Sequence, residues 1–535
     1  MAERTRSVWG VALRHDLRLV RRGVFAWTVV FAASFAAVVN AYETAYPTQV
    51  GREGIAKLLE GNQAFEALFG LVRGIDTVGG FTAWRVGGPL AIIAGIWGLL
   101  AATRVLRGEE EAGRCELVVS GTLTKAGATM AALAALGIGF AFVWVVLVGA
   151  LVGLGLAAGS SAVLALGTVG AAAVFSGVGA LASQLVPVRR RAAGLAGAAL
   201  GGAVLLRVVA DGTANLGWLR ALTPFGWIED LRPFSGSDLP WLVPLAAAAA
   251  VLVLATVRAA AGRDLGAGAL WSGETGRSSA GLLGSELGFT TRSSIMPTAV
   301  WTVSIAAFGA VLGLLSVDAA EFAARSPGFR RIAGRIGGID IGSAKGFIGY
   351  AFSMMVVPVC LFVAFRMQAA REEEATGRLD NVLARAVGRR GWMLSQVGVA
   401  AAGAAVMAVG IAVATWAAAS SRGAGVELGG MLLAAANWLP VVLLFLGIGV
   451  LAFAAVPRAA PALSLGAVAV GFLLQLVGML TKMPRAVLDL SPFHHVAASP
   501  AVGVNTGAAA VMLAIGAACA AAGTEVFARR DLAGA

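Results

Sequence analysis

Apolar runs of roughly membrane length, each closed by a short polar cluster, follow one another from residue 24 to residue 526. A helix needs about 20 apolar residues to cross the hydrocarbon core of a bilayer. On that measure twelve spans are predicted, near 24–41, 86–104, 128–156, 162–186, 193–212, 241–260, 298–317, 347–366, 392–419, 429–455, 462–481 and 505–526. Between Ala126 and Val188 there is no Asp, Glu, Lys or Arg in 63 residues, room for two spans joined by a turn near Gly159-Ser160-Ser161. Strands of an outer-membrane barrel read instead as alternating segments of about 10 residues. The pattern predicts an all-α polytopic membrane protein.

Ahead of the first run, residues 7–22 place Trp9, Leu13, Leu17 and Val20 on one helical face and Arg14, Arg18, Arg21 and Arg22 elsewhere. That predicts an amphipathic helix lying at the inner interface, with a shorter counterpart at 285–295 in which Arg292 aligns with Arg18. No small-residue cleavage site follows, so a cleavable signal is not expected. An outer loop at 42–85 contains a stretch, Gly54–Leu71, that reads as a surface helix. A shorter Arg-rich loop runs from Asp318 to Gly346, and the Gly-rich stretch 262–284 reads as a cytoplasmic linker.

That linker separates two halves, 1–261 and 285–535, and four anchors pair them in order. Trp27-Thr28-Val29 matches Trp301-Thr302-Val303, Arg107–Glu116 matches Arg371–Asp380, Val186-Pro187 matches Val456-Pro457, and Thr223-Pro224-Phe225 matches Ser491-Pro492-Phe493. The offsets lie between 264 and 274. Six spans per half is an even number, so a parallel duplication is expected rather than an inverted one.

Charge adds orientation. Charged residues are 13% of the chain and hydrophobic ones 58%, against about 25% charge in ordinary soluble domains. With the amino terminus inside, 26 of the 41 Lys and Arg fall on inner segments and 15 on outer ones, so both termini are placed in the cytoplasm. The net charge of +12 then suits anionic lipid headgroups and calls for no nucleic acid. Of three His, the adjacent His494 and His495 do not share one helical face, and no Cys or carboxylate lies at ligand spacing around them, so no metal site is expected.

The strongest candidate chemistry is the duplicated charged segment. Arg107, Glu109, Glu110, Glu111, Gly113, Arg114 and Glu116 lie in an inner segment, 105–125; Arg371, Glu373, Glu374, Gly377, Arg378 and Asp380 repeat them in 368–391. Glu110 to Arg114 and Glu374 to Arg378 are i, i+4 pairs in the favourable order on a solvated helix. Topology alone needs basic residues, not a repeated run of glutamates, so the pattern reads as a docking element for a repeated partner. Inside the spans, Arg207 and Asp211 are spaced to pair at the outer end of the fifth. Gln475 aligns with Arg207 in the second half. The group reads either as a polar spot on a transport pathway or as a structural ion pair capping a span.

Together the amphipathic helix, the long loop after the first span and Glu110-Glu111-Ala112-Gly113-Arg114-Cys115-Glu116-Leu117 resemble the type-2 permeases of ATP-binding-cassette (ABC) exporters. The fused twelve-span arrangement is similar to the actinobacterial branch of polyketide-antibiotic exporters, tetronasin-type permeases among them. The resemblance implies a coupling helix seated in a separate ATPase subunit, two ATPase copies per chain, and export of a hydrophobic or amphipathic compound across the plasma membrane. In the second copy Asp380-Asn381 replaces Glu-Leu and Thr376 precedes Gly377, so unequal contacts are implied. ATP and Mg belong on that partner: only four lysines occur, none preceded by glycine as a phosphate-binding loop requires. Two other classes stay open. An ion-coupled secondary carrier also has two parallel six-span halves, but the inner loop lacks the Asp-Arg-x-Gly-Arg-Arg signature of that class. A lipid-linked transferase needs a carboxylate cluster to hold a metal and diphosphate, and consecutive glutamates splay around a helix.

Overall fold

The computed structural model describes residues 2–59, 66, 70–121, 123–212, 215–268, 281–325, 343–385, 387–480 and 484–532. Most of the predicted linker, parts of the 42–85 loop, most of the Asp318–Gly346 loop, and positions 122 and 386 of the two charged segments lie outside them. The described residues are helical, with no strand among them. Eleven helices are long and apolar enough to cross a membrane. They are α1 (Ala2–Ala45), α2 (Val78–Glu111), α3 (Lys125–Gly153), α4 (Ala158–Leu185), α5 (Arg189–Gly212), α6 (Leu242–Gly262), α7 (Glu286–Arg325), α8 (Ala344–Ala375), α9 (Arg389–Ser421), α10 (Leu428–Ala455) and α12 (Thr506–Arg529). The predicted eleventh span is the helix α11 (Ala460–Leu480), which carries no Asp, Glu, Lys or Arg in its 21 residues. This is an all-α polytopic membrane protein.

Two boundaries differ from the sequence reading. The amphipathic stretch 7–22 is not a separate helix, because α1 continues without a break for 44 residues. At 1.5 Å per residue that is about 66 Å, twice the hydrocarbon thickness. Gly23 stands at the junction, yet α1 stays helical through it, so the amphipathic stretch extends the span. Its counterpart at 285–295 is likewise the first part of α7. Starts of several spans are set by side-chain caps. Thr77, Thr124, Ser343 and Asn505 accept from Gly80, Gly127, Gly346 and Ala508 at 3.0–3.1 Å, each worth about 1 kcal/mol.

The chain forms two compact units, Met1–Arg277 and Ser278–Ala535. In the first, α1 packs on α3, and α2 on α4. Trp27, Phe31, Trp97 and Phe140 fill the space between α1, α2 and α3, with ring centroids 5.3–6.4 Å apart. The α2–α4 crossing is tight enough to need glycine, since a Cβ on Gly98 would meet the Ala172 carbonyl at 2.2 Å. Small residues at such crossings are how membrane helices gain packing without a hydrophobic drive. In the second unit, α7 packs on α9 and α10 on α12, around Trp392, Phe453 and Phe527.

Thr223-Pro224-Phe225 opens the short helix Pro224–Asp230, and Ser491-Pro492-Phe493 opens a single 3-10 turn, Pro492–His495. Both phenyl rings are buried. Phe225 stacks on Phe175 and Phe493 on Phe445, both at 5.3 Å, locking each turn onto its own unit's fourth span.

Candidate functional site

The first charged segment is the end of α2 and the turn after it. A π-helical turn at Arg104–Gly108 shifts the face that α2 presents, and the helix ends at Glu111. Gly113 then adopts φ 72°, the left-handed conformation that costs other residues a Cβ clash, and a short helix, Arg114–Val119, leaves in a new direction. Arg107 is buried, with 1% of its surface exposed, and its guanidinium lies 3.1 Å from Glu110. Glu110 in turn accepts two hydrogen bonds from Arg263, at 2.7 and 2.5 Å, and one from the Gly266 amide at 2.7 Å. Arg263 directly follows α6, so this carboxylate joins the end of the second span to the end of the sixth. Lys125, which opens α3, donates to the Arg263 carbonyl at 2.7 Å and closes the set.

The same construction recurs in the second unit. Gly377 has φ 71°, α8 ends at Ala375, and a short helix, Arg378–Leu383, follows. Arg371 lies 3.4 Å from Glu374, whose side chain is 1% exposed. Glu374 accepts from Arg530 at 2.6 and 2.9 Å. Arg530 directly follows α12, sits over the rings of Phe453 and Phe527, and has its carbonyl bound by Arg389, which opens α9. Burying such ions is repaid only when nearly every lone pair and N–H finds a partner. In each unit the carboxylate has cations on two sides, while Arg107 Nε and Nη1 and Arg530 Nε are buried without a hydrogen-bond partner among the described residues.

The expected i, i+4 pairs, Glu110 with Arg114 and Glu374 with Arg378, do not form. That spacing brings side chains together only along a continuous helix, and Gly113 and Gly377 interrupt it. Arg114 instead makes a two-bond pair with Glu109, both at 2.6 Å. Nor is the segment wholly solvated: Arg107, Glu110, Arg371 and Glu374 are internal, while Glu111, Arg114, Glu116, Arg378 and Asp380 are exposed. Glu373 and Gly377 are half-buried. Glu111 also accepts from the Arg189 amide at 2.5 Å, tying the turn to the start of α5. Cys115 is half-buried, and burial together with the nearby Glu110 charge pushes its thiol above the ordinary range, so it rests as a neutral thiol.

Sequence reasoning missed Arg263 and Arg530. A signal was present, because Arg263-Asp264-Leu265 and Arg530-Asp531-Leu532 repeat at an offset of 267, just beyond the last apolar run of each half.

Arg207 and Asp211 do pair, at 2.8 Å and both buried. Arg207 also reaches Glu229 at 3.4 Å, and Glu229 accepts the Leu71 amide at 2.5 Å. Arg73 meets Asp230 at 3.1 Å. The cluster therefore clasps residues 70–73 of the loop against the helix Pro224–Asp230. Gln475, aligned with Arg207, joins no such cluster: its side-chain carbonyl is buried without a hydrogen-bond partner among the described residues.

A dozen apolar helices, with their charge gathered into two braced turns and one clasp, define a polytopic membrane protein of the permease class. The chain belongs to the family described as "Multidrug efflux system permease Rv1217c, C-terminal domain", whose model matches residues 9–259 and 283–528. It is 32% identical to the multidrug efflux system permease protein Rv1217c of Mycobacterium tuberculosis, over 97% of this chain and 94% of that one.

Proposed function

We propose that the chain is the transmembrane subunit of an ABC exporter, a parallel internal duplication whose two charged turns each receive one copy of a separate ATPase. Both termini and both turns face the cytoplasm from the plasma membrane. ATP and Mg are handled by the partner, and a hydrophobic or amphipathic compound is moved outward. One observation carries the reading: a turn braced by a buried Arg-Glu-Arg set recurs in both units and leaves Arg114 and Glu116 in the first, Arg378 and Asp380 in the second, exposed. Bracing of that kind suits an element that must pass force to the spans behind it. The relative's name supplies the efflux and multidrug parts of the reading.

The exposed charges supply the test. Glu116 and Asp380 are exposed and outside the buried sets. Interface charge pairs are worth about 1.5–7 kcal/mol when desolvated. Glu116→Lys with Asp380→Lys should abolish co-purification of the ATPase and substrate-stimulated ATP hydrolysis while the membrane subunit stays folded. The wild-type complex should have the native mass of one permease and two ATPases. If the double variant still assembles and hydrolyses ATP normally, the turns do not dock an ATPase.

A further inference from the structure

Away from the charged turns, α1 and α3 leave an open groove along one side of the first unit. The two helices touch at its floor, where a Cβ on Gly139 would lie 2.7 Å from the Val24 side chain. Its walls are apolar and exposed: Phe25 at 66% on α1, Ile138 at 49% and Phe142 at 50% on α3. At one end stand Arg18, Arg21 and Arg22, all exposed. None of the three guanidiniums has an ion-pair or hydrogen-bond partner among the described residues. Positions 18, 21, 22 and 25 are spaced i, i+3, i+4 and i+7, so cations and Phe25 share one face of α1. The helical rise sets Phe25 about 4.5 Å beyond Arg22 along the axis.

We propose that this groove holds one anionic phospholipid, its phosphate between Arg18, Arg21 and Arg22 and an acyl chain along Phe25, Ile138 and Phe142. Three cations within about one helical turn, followed by an apolar trough, match an anionic amphiphile. A zwitterionic lipid brings no net charge to the arginines, and a soluble anion has no use for the trough. The second unit lacks the site. In the corresponding stretch of α7, Arg292 donates to the Gly281 carbonyl at 2.9 Å, and Ile295 and Met296 occupy the places of Arg21 and Arg22. One lipid per chain is therefore expected. Its placement in the inner leaflet rests on the topology proposed above; retention of the lipid does not.

Native mass spectrometry of the full chain in detergent, with phosphatidylglycerol or phosphatidylcholine added, reads the site directly. One phosphatidylglycerol should be retained in preference to phosphatidylcholine, and inorganic phosphate should not displace it. Each basic residue near a lipid headgroup contributes about 1 kcal/mol, so R18Q/R21Q/R22Q should weaken retention about a hundredfold. Ile138→Trp, which keeps all three arginines and fills the trough, should weaken it as well, and this tests the site from its apolar side. Equal retention of the two lipids, undiminished retention by either variant, or displacement by phosphate alone overturns the proposal. A reversed topology would move the lipid to the other leaflet without abolishing its retention, so the two failures are distinguishable.

Discussion

Arg530 gives the sharpest access to the braced turns. Arg530→Met removes both hydrogen bonds to Glu374, at 2.6 and 2.9 Å, yet keeps an unbranched side chain over the Phe453 and Phe527 rings. Taking one partner from a buried ion pair costs about 3–5 kcal/mol. Glu374 keeps Arg371 at 3.4 Å, so the cost should sit near the lower end of that range. For a unit of this size, 1 kcal/mol moves the melting midpoint by about 2–4 °C, and the variant should melt roughly 6–12 °C lower. Cys360 is a built-in reporter, fully buried in the core of the second unit. In a C115S/C519S background, its reaction with a thiol-specific dye on heating follows that unit alone.

The charge set is then isolated by a double-mutant cycle. Glu374→Gln leaves Arg371 and Arg530 facing each other without their shared anion, and should also be costly. With both changes made, each residue's partner is already gone, so the double variant should be more stable than the summed single costs by about 1–3 kcal/mol. Midpoints for Arg530→Met and Glu374→Gln that both stay within 1–2 °C (about 0.5 kcal/mol) of the parent would refute the bracing argument. So would strictly additive effects.

Other predictions follow from the same geometry. Gly113→Ala meets no atom within 4 Å, so only the left-handed backbone penalty of about 1–2 kcal/mol applies; on the proposed coupling to an ATPase, its stimulation should fall while the spans stay intact. Arg207→Met should loosen residues 70–73 and speed tryptic cleavage at Arg73 at least about tenfold, because Glu229, which accepts the Leu71 amide, loses its cation and Asp211 its nearest one; unchanged cleavage would show that the clasp is not held there. Cys115 should react slowly with maleimide at neutral pH, with a rate still climbing above the ordinary thiol pKa of about 8.5, since a raised pKa keeps the thiolate scarce until higher pH. Glu110→Gln should accelerate that reaction by removing the neighbouring negative charge; an unaltered rate profile would contradict the assigned environment.

Much of the architecture was legible because hydrophobic length is a local property. An apolar run such as Lys125–Gly153 declares its helix without reference to anything else in the chain. The braced turns were legible only in part. Duplication marked the right residues, but an ion pair depends on what the fold brings alongside, and Glu110 meets Arg263 across 153 positions of sequence. Glu374 meets Arg530 across 156. One local rule was available and was outweighed: glycine is the preferred residue just past a helix end, so Gly113 and Gly377 argued against any i, i+4 pair spanning them.

The three consecutive glutamates show why composition could not assign roles within the segment. Successive residues on a helix point about 100° apart, so Glu109, Glu110 and Glu111 meet three environments. Glu109 faces Arg114 and, at 3.9 Å, His15 of α1. Glu110 faces inward to Arg107 and Arg263. Glu111 faces out and catches the first amide of α5. One turn of helix thereby touches α1, the end of α6 and the start of α5. The second segment keeps the inward member in full, as Glu374, but has Ala375 where the first has Glu111. The shared member is the brace, and what differs lies on the outward side. If two identical ATPases dock, unequal outward faces must give unequal contacts, so charge reversal at Glu116 and at Asp380, made one at a time, should lower ATPase retention to different extents. Equal losses would mean that the two outward faces make equivalent contacts despite their different residues, and would refute unequal docking.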